Sequence, residues 1–187
     1  VQRKEADCFH IKAGQSYRHQ DYAIEPDVSA ACYFYAMAAL LGTKVLVPGV
    51  HFTSLQGDIQ FLRILEKMGC TLGEGEEGVW LKGPEKGCLH GVEADMHACS
   101  DQAITLAAIA PFADSPVKIS GIAHIRYQES NRMGAIAAEL RRLGIRCEEE
   151  EDSLLIMPGK PLPGVVDTYE DHRMAMGFSL TGLRAEG

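Results

Sequence analysis

Three long apolar runs divide the chain at nearly equal intervals. Each run follows an aspartate, at positions 27, 101 and 171, so the intervals are 74 and 70 residues. The runs begin Asp27-Val-Ser-Ala-Ala-Cys, Asp101-Gln-Ala-Ile-Thr-Leu and Asp171-His-Arg-Met-Ala-Met. Aspartate is a favoured helix N-cap, and a run that is apolar nearly all round predicts a helix buried on all sides. The recurrence therefore predicts an internal repeat with three central helices.

The segments between these runs repeat a second pattern. A strand at 43–50, an amphipathic helix at about 57–68 and a hairpin around 73–78 follow the first run, and the same order returns at 117–122, from 133 to 143 and around 148–152. Helical spacing defines two apolar faces: Phe61, Ile64, Leu65 and Met68 in the first copy, and Met133, Ile136, Ala137, Leu140 and Leu143 in the second. Short apolar runs at 92–94 and 165–167 are typical of opening strands. The predicted unit is β-α-β-α-β-β.

These units predict one α/β domain arranged around a pseudo-threefold axis, with the central helices inside. Lead-in strands occupy 1–24, unit one 25–83, unit two 92–158 and a partial third unit 164–187. The third unit stops after its first helix, and the chain begins without a methionine. We therefore expect a longer protein that has been cut, rather than one that evolved two and a half units.

Composition narrows the possible partners. The chain has 187 residues, of which 46% are hydrophobic and 24% charged, as expected for a globular domain. Its net charge of −8 disfavours nucleic acid and acidic membranes as partners. We find no apolar run of about 18 residues that would predict a membrane span. Six cysteines without a Cys-x-x-Cys pair indicate reduced thiols and a cytoplasmic protein.

Two glycine-rich or acidic stretches resemble sites but have simpler interpretations. The segment 73–78 spells G-x-G-x-x-G, yet it leads into a strand and carries three glutamates that would repel a phosphate. We therefore interpret it as a hairpin turn, against the competing class of doubly wound nucleotide-binding domains. The acidic run 148–152 is likewise predicted to be a solvated turn.

Two arginines lie where a helix dipole disfavours a cation. Arg132 is predicted at the start of the second amphipathic helix, and Arg173 lies two residues after Asp171. A cation at a helix N-terminus is unfavourable unless an anion is present, so the pair indicates a carboxylate or phosphate site built from forked donors. The alternative is purely structural: Ser130 or Asn131 is an ordinary N-cap, and so is each of the three aspartates.

At this point several segments resemble a known family, the 5-enolpyruvylshikimate 3-phosphate synthases, in their C-terminal half. The resemblance covers essentially the whole chain in order, and the block at Asp171 is its most specific part. Gly14-Gln-Ser-Tyr is similar to the family's strand leading into that half. The other matching segments are Glu25-Pro-Asp-Val-Ser-Ala-Ala-Cys-Tyr-Phe, Leu55-Gln-Gly-Asp, Asp101-Gln-Ala-Ile-Thr, Glu129-Ser-Asn-Arg and Tyr169-Glu-Asp-His-Arg-Met-Ala-Met.

The resemblance implies one domain of a two-domain enzyme, each domain having three such units. It implies transfer of the enolpyruvyl group of phosphoenolpyruvate to the 5-hydroxyl of shikimate 3-phosphate, with no metal or organic cofactor. The partners would be these two substrates and the missing N-terminal domain, with no nucleic acid and no membrane. Because the active site would lie between the domains, we expect this chain to be inactive alone.

By the same resemblance, Asp101 would be the general base at the hydroxyl and also contact substrate, and Glu129 would handle the proton at the methylene carbon of phosphoenolpyruvate. Arg132 and Arg173 would hold phosphoenolpyruvate. A pair of carboxyl groups in different environments suits acid–base addition and elimination.

Three positions depart from the family pattern. Gln128 replaces the usual lysine before the catalytic glutamate, Asn131 replaces an aspartate, and His124 replaces an asparagine that contacts the shikimate phosphate. Gln128 and His124 would still be substrate-binding positions. The alternative is a divergent or non-catalytic domain that retains the scaffold and an anion site.

Overall fold

The computed structural model describes residues 1–186, and its elements alternate as repeated units. The strands are β1 Gln2–Glu5, β2 Cys8–His10, β3 Lys44–Pro48, β4 Thr71–Gly75, β5 Gly78–Lys82, β6 Glu93–Asp95, β7 Val117–Ser120, β8 Cys147–Glu149 and β9 Ser153–Ile156. The α-helices are α1 Val28–Leu41, α2 Gln60–Lys67, α3 Ala103–Ile109, α4 Arg132–Arg142 and α5 His172–Thr181. None of the helices in this described part is long and apolar enough to cross a membrane. The last residue of the predicted third unit, Gly187, lies outside the described residues.

The second unit is the complete one. Its order is β6-α3-β7-α4-β8-β9, and its four strands form a sheet in the order β6-β7-β9-β8. The β6–β7 pair is parallel and the other two pairs are antiparallel. The apolar face predicted for α4 is buried, and so are the four positions predicted for the amphipathic helix of unit one. The β-α-β-α-β-β unit is therefore confirmed here.

The first unit lacks its opening strand, and so does the third. Unit one forms a three-stranded antiparallel sheet in the order β3-β5-β4, preceded by the β1–β2 hairpin. The strands expected at 14–17 and 165–167 are wrong, because neither segment has regular structure. In unit two the opening strand β6 is held by hydrogen bonds to β7, whereas the described part of unit three has no strand that could pair with 165–167. Segment 11–21 is polar and lacks the alternating apolar pattern of a strand.

Of the two turn interpretations, the first holds in full. Residues 73–78 connect β4 to β5 as a hairpin, with Gly75 paired to Gly78, so no helix begins there. Residues 150–152 connect β8 to β9, but Glu148 and Glu149 of the predicted turn lie in strand β8, so the second interpretation holds only in part. Two of these acidic groups are also bonded within the chain. Arg126 donates to the carboxylate of Glu149, and Ser153 donates to Glu150.

The central helices α1, α3 and α5 each pack against the other two. All seven residues of α3 are buried, as predicted. The prediction of complete burial is wrong for α1 and α5, where Phe34 is 55% exposed and Met176 is 43% exposed. These faces are not covered by the two sheets of units one and two. At the α3–α5 contact, a Cβ added to Gly177 would lie 2.6 Å from Cγ2 of Ile104, so this close approach requires glycine.

Candidate active site

Two of the three aspartates are the helix caps that the sequence predicted. Asp27 accepts hydrogen bonds from the backbone N–H groups of Ser29 (2.9 Å) and Ala30 (3.3 Å) at the start of α1. Asp171 accepts from the backbone N–H of Arg173 (2.9 Å) at the start of α5. These contacts satisfy N–H groups that a helix start otherwise leaves without partners.

Asp101 is not a cap, and this corrects the prediction that its helix begins there. A 3₁₀ segment at His97–Gln102 precedes α3, which starts at Ala103 without a side-chain cap. The Asp101 carboxylate instead bridges two guanidinium groups. Its Oδ1 accepts a hydrogen bond from Arg132 Nη1 at 3.1 Å, and its Oδ2 forms an ion pair with Arg173 Nη2 at 2.9 Å. The Asp101 side chain remains one-third exposed.

Arg132, the first residue of α4, is buried among carboxylates. Its side chain is 1% exposed, and it donates through Nε and Nη2 to both oxygens of Asp171, at 2.8 and 3.3 Å. Nη2 also donates to Glu129 Oε2 at 2.6 Å, and Nη1 to Gln128 Oε1 at 2.5 Å. The anion inferred beside this dipole-opposing arginine is thus supplied by the chain itself. A role for Arg132 in binding phosphoenolpyruvate stays a prediction.

The buried pair is electrostatically matched. Burial favours a raised pKa for Asp171, but hydrogen bonds from Arg132, from the Arg173 backbone and from Ser130 outweigh it and hold that pKa below its usual value. For Arg132, burial works to lower the pKa, and the hydrogen bond and charge of Asp171, followed by the charges of Glu129 and Asp101, outweigh it and raise the pKa. Both groups are therefore ionised at neutral pH.

Arg173 is the more accessible guanidinium. Its side chain is 15% exposed, and Asp101 is its one charged partner within residues 1–186. It also contacts Ser29 Oγ at 3.5 Å, which ties α5 to α1. Tyr33 lies one turn beyond Ser29 on the same face of α1. Its hydroxyl is buried and has no hydrogen-bond partner in the described residues, and burial raises the pKa of this tyrosine.

The remaining predicted residues lie around this centre. Glu129 is bonded to Arg132 but is 54% exposed, and its Oε1 makes no hydrogen bond within the described chain. His124 Nε2 is 2.8 Å from Oγ of Ser100, the residue before Asp101, and its ring lies 5.4 Å from that of His97 in an edge-to-face arrangement. Five of the six predicted residues are therefore linked by direct contacts: Asp101, Gln128, Glu129, Arg132 and Arg173. The sixth, His124, contacts Ser100, the residue before Asp101.

Sequence reasoning missed several polar residues of the site. The sequence predicts Asp171 only as a cap, whereas its carboxylate is the main partner of Arg132. Gln102 is fully buried and donates to Asp58 Oδ1 (2.9 Å) and to the backbone oxygen of Ser29 (3.3 Å), which joins units one and two beside the site. A polar residue at the start of an otherwise apolar helix was a signal that could have indicated Gln102.

The carboxylates of Asp101 and Glu129 are the solvent-accessible side of the site. A separate cavity of about 340 Å³ lies between α5, the end of α4 and residues 162–168, and contains none of the predicted site residues. No group of three or more His, Cys, Asp or Glu side chains within residues 1–186 is arranged to hold a metal ion. The arrangement offers carboxylates and guanidinium groups at converging helix starts, which suits anionic ligands and proton transfer.

Solved structures place this fold among the enolpyruvyl transferases. The protein superposes on the EPSP synthase of Acinetobacter baumannii with a TM-score of 0.74 and 27% identity, over 88% of this chain and 41% of that one. The enolpyruvyl transferase NikO of Streptomyces tendae gives 0.62 with 21% identity, over 87% and 37%. The second likeness concerns the fold alone.

The sequence narrows this class further. All residues, 1–187, match the family described as EPSP synthase (3-phosphoshikimate 1-carboxyvinyltransferase), and the chain belongs to that family. It is 48% identical over 187 residues to the 3-phosphoshikimate 1-carboxyvinyltransferase of Trichormus variabilis, covering 100% of this chain and 43% of that protein. It is 44% identical over 181 residues to the chloroplastic enzyme of Arabidopsis thaliana, covering 93% and 35%. The chain thus spans less than half the length of these relatives.

Proposed function

We propose that this chain is one domain of an enzyme that transfers the enolpyruvyl group of phosphoenolpyruvate to the 5-hydroxyl of shikimate 3-phosphate. The observation that carries the proposal is the Asp101 bridge between Arg132 and Arg173, beside a partly exposed Glu129. Anionic substrates need cations, and the addition needs two groups that accept and donate protons. The family of the chain supplies the identity of the substrates.

The addition uses two proton transfers, and the elimination returns both protons. The 5-hydroxyl oxygen bonds to C2 of phosphoenolpyruvate while its proton passes to Asp101, and the methylene carbon takes a proton from Glu129. The tetrahedral adduct then loses phosphate as its C–O bond breaks, with the leaving phosphate taking the proton held by Asp101, and the methyl group returns a proton to Glu129 as the double bond re-forms. The free Oε1 of Glu129 and the one-third exposure of Asp101 support this division of roles.

Of the two arginines, Arg173 is the one that binds the ligand anion first. Arg132 is 1% exposed and already bonded to three carboxylates, whereas Arg173 is bonded to one. A ligand anion competes with fewer partners at Arg173, so we assign it the first contact with phosphoenolpyruvate. Arg132 would then contact phosphoenolpyruvate by releasing the carboxylate of Glu129, which is half-exposed. His124 and Gln128 would contact shikimate 3-phosphate, His124 at its phosphate.

The catalytic unit would include further chain. We propose an N-terminal domain of the same protein as the partner that completes the site, and residues 1–187 as a single domain with units at 25–83, 92–158 and 164–187. We also propose a cytoplasmic location, which the six free cysteines support. No metal or organic cofactor is assigned a role.

The test uses the full-length protein and measures phosphate release that depends on both substrates. Glu129→Gln and Asp101→Asn should each lower kcat by about 10²- to 10⁴-fold, the range for losing a general acid or base. The control Glu66→Gln changes an exposed glutamate paired with Arg63 on α2 and should leave kcat unchanged. A wild-type protein that binds both substrates but forms no product would instead establish the non-catalytic domain.

A matched experiment concerns the isolated chain. Calorimetry of residues 1–187 with both substrates should show weak binding at best and no turnover, because orientation by groups of two domains is absent. Micromolar binding of both substrates together, or turnover abolished by Glu129→Gln, would refute the two-domain account of the site.

A further inference from the structure

The segment that leads into α5 has an unusual backbone. Tyr169 and Glu170 have φ angles of 55° and 56°, in the left-handed region that side chains other than glycine rarely adopt. Two such residues in succession persist only where surrounding contacts hold them. They lie immediately before Asp171, the N-cap of α5, and are four and three residues before Arg173. The contacts that hold this segment therefore decide where the site arginine lies.

A buried carboxylate on α4 makes those contacts. Glu139 is 0% exposed, and its Oε2 accepts the backbone N–H of Asp167 at 3.1 Å while its Oε1 accepts the hydroxyl of Tyr169 at 2.7 Å. Arg142, one turn later on α4, neutralises the charge at 3.3 Å. A buried carboxylate is tolerated only with such partners, so these bonds are not incidental.

The helix α4 thus holds one segment at two points. Arg132 and Glu139 are seven residues apart, two helical turns, and lie on the same buried face. Arg132 binds the side chain of Asp171, and Glu139 binds the backbone and hydroxyl groups just before it. A turn bond from the Asp171 N–H to the oxygen of Thr168 (2.9 Å) closes the segment between the two points.

We propose that Glu139 and Tyr169 are positioning residues that fix the start of α5 and so direct Arg173 towards Asp101. Neither touches the reacting atoms. We call the contacts of Glu139 with Asp167 and Tyr169 the clamp. Loss of the clamp keeps Arg173 on α5 but lets the start of that helix move. Small displacements of an oriented group have large effects on binding and rate. The kinetic consequence rests on the proposed function, in which Arg173 makes the first contact with phosphoenolpyruvate.

The first measurement is amide hydrogen exchange of the 187-residue chain, which needs no substrate. Tyr169→Phe and Glu139→Ala should each speed exchange at the start of α5, including the Arg173 N–H, by about tenfold, with the start of α1 unchanged. Glu139→Gln keeps an acceptor oxygen and should restore part of the protection. Tyr22→Phe, at a tyrosine that is 78% exposed, and Glu66→Ala should change nothing.

The second measurement is steady-state kinetics of the same variants in the full-length protein. Tyr169→Phe should raise KM for phosphoenolpyruvate by about tenfold and leave KM for shikimate 3-phosphate within about twofold. Unchanged exchange at α5 overturns the clamp, and so does an equal rise in both KM values, which would indicate a general disturbance of the site. A loss of folded protein would lower the apparent kcat and leave both KM values unchanged. If the wild-type protein shows no turnover, the proposed function is refuted. The clamp is still tested by the hydrogen-exchange measurement, which needs no substrate.

Discussion

The sharpest test of the buried network is Asp171→Asn. The Asp171 carboxylate is 0% exposed and accepts both Nε and Nη2 of Arg132, which is itself 1% exposed. Asparagine keeps the size and the oxygen that caps α5, so the substitution removes the charge and little else. Breaking a buried ion pair by neutralising one partner costs about 3–5 kcal/mol. Asp101 and Glu129 remain on Arg132, so we expect the lower end, a loss of about 3 kcal/mol.

The same variant makes a prediction about pH. The pKa of Asp171 is lower in the folded chain than in the unfolded one, where it would be about 3.9. Its contribution to stability is therefore fully present above about pH 4 and is lost as the pH falls through the lower, folded value. The difference in free energy of unfolding between wild type and Asp171→Asn should be constant from pH 5 to 7 and shrink only below about pH 4.

Urea unfolding followed by circular dichroism measures both quantities on the 187-residue chain. The matched control is Asp27→Asn, which makes the same change at the cap of α1, where Asp27 hydrogen-bonds no arginine. Asparagine and aspartate are nearly equal caps, so the control should change the midpoint little. Equal losses in the two variants, or a difference that persists unchanged at pH 3, would refute the assignment of the energy to the Arg132 pair.

Four further substitutions test the packing that supports the site. Leu106→Ala on the fully buried α3 should cost about 2–5 kcal/mol of unfolding free energy, measured by urea denaturation, and a loss under about 1 kcal/mol would contradict the central position of this helix. Tyr33→Phe should be neutral or stabilise by about 1 kcal/mol, because its hydroxyl lacks a partner, whereas Tyr35→Phe removes a 3.0 Å bond to a β5 carbonyl and should cost about 1–2 kcal/mol. The reverse order would be inconsistent with this account. Gly177→Ala should lower the thermal midpoint, at a cost of about 1–3 kcal/mol, because its Cβ would meet Ile104 at 2.6 Å, and an unchanged midpoint would show that α3 and α5 can separate freely.

The internal repeat could be predicted from the sequence because it depends on local sequence patterns. Apolar runs, helical spacing and turn residues predicted the complete second unit, including the buried face from Met133 to Leu143. The missing opening strands could not be predicted in the same way. Val165 and Val166 have the composition of a strand, but a strand forms only against a partner edge. The described part of unit three has no strand with which they could pair.

Site geometry was harder to predict because its contacts join distant parts of the sequence. Arg132 and Asp171 are 39 residues apart, and Arg173 contacts Ser29 across 144 residues. The dipole argument correctly indicated that Arg132 needs an anion, but it could not distinguish a ligand from an internal carboxylate. The strained pair at Tyr169 and Glu170 left no sequence signal, since neither is glycine or asparagine.

Asp101 shows most clearly why identical sequence signals had different outcomes. All three aspartates precede apolar helices, yet the 3₁₀ segment before α3 delays its first turn and leaves the Asp101 carboxylate free to bridge two arginines. The Asp27 carboxylate is engaged by groups at the start of α1, whereas the Asp101 carboxylate, paired with Arg173, can exchange its partner. If Asp101 takes the hydroxyl proton, its charge is neutralised and its hold on Arg173 weakens. On the proposed function, Arg173 already contacts phosphoenolpyruvate, and the weaker hold of Asp101 would let its guanidinium bind the leaving phosphate more tightly, so that proton transfer and anion binding are coupled through one residue.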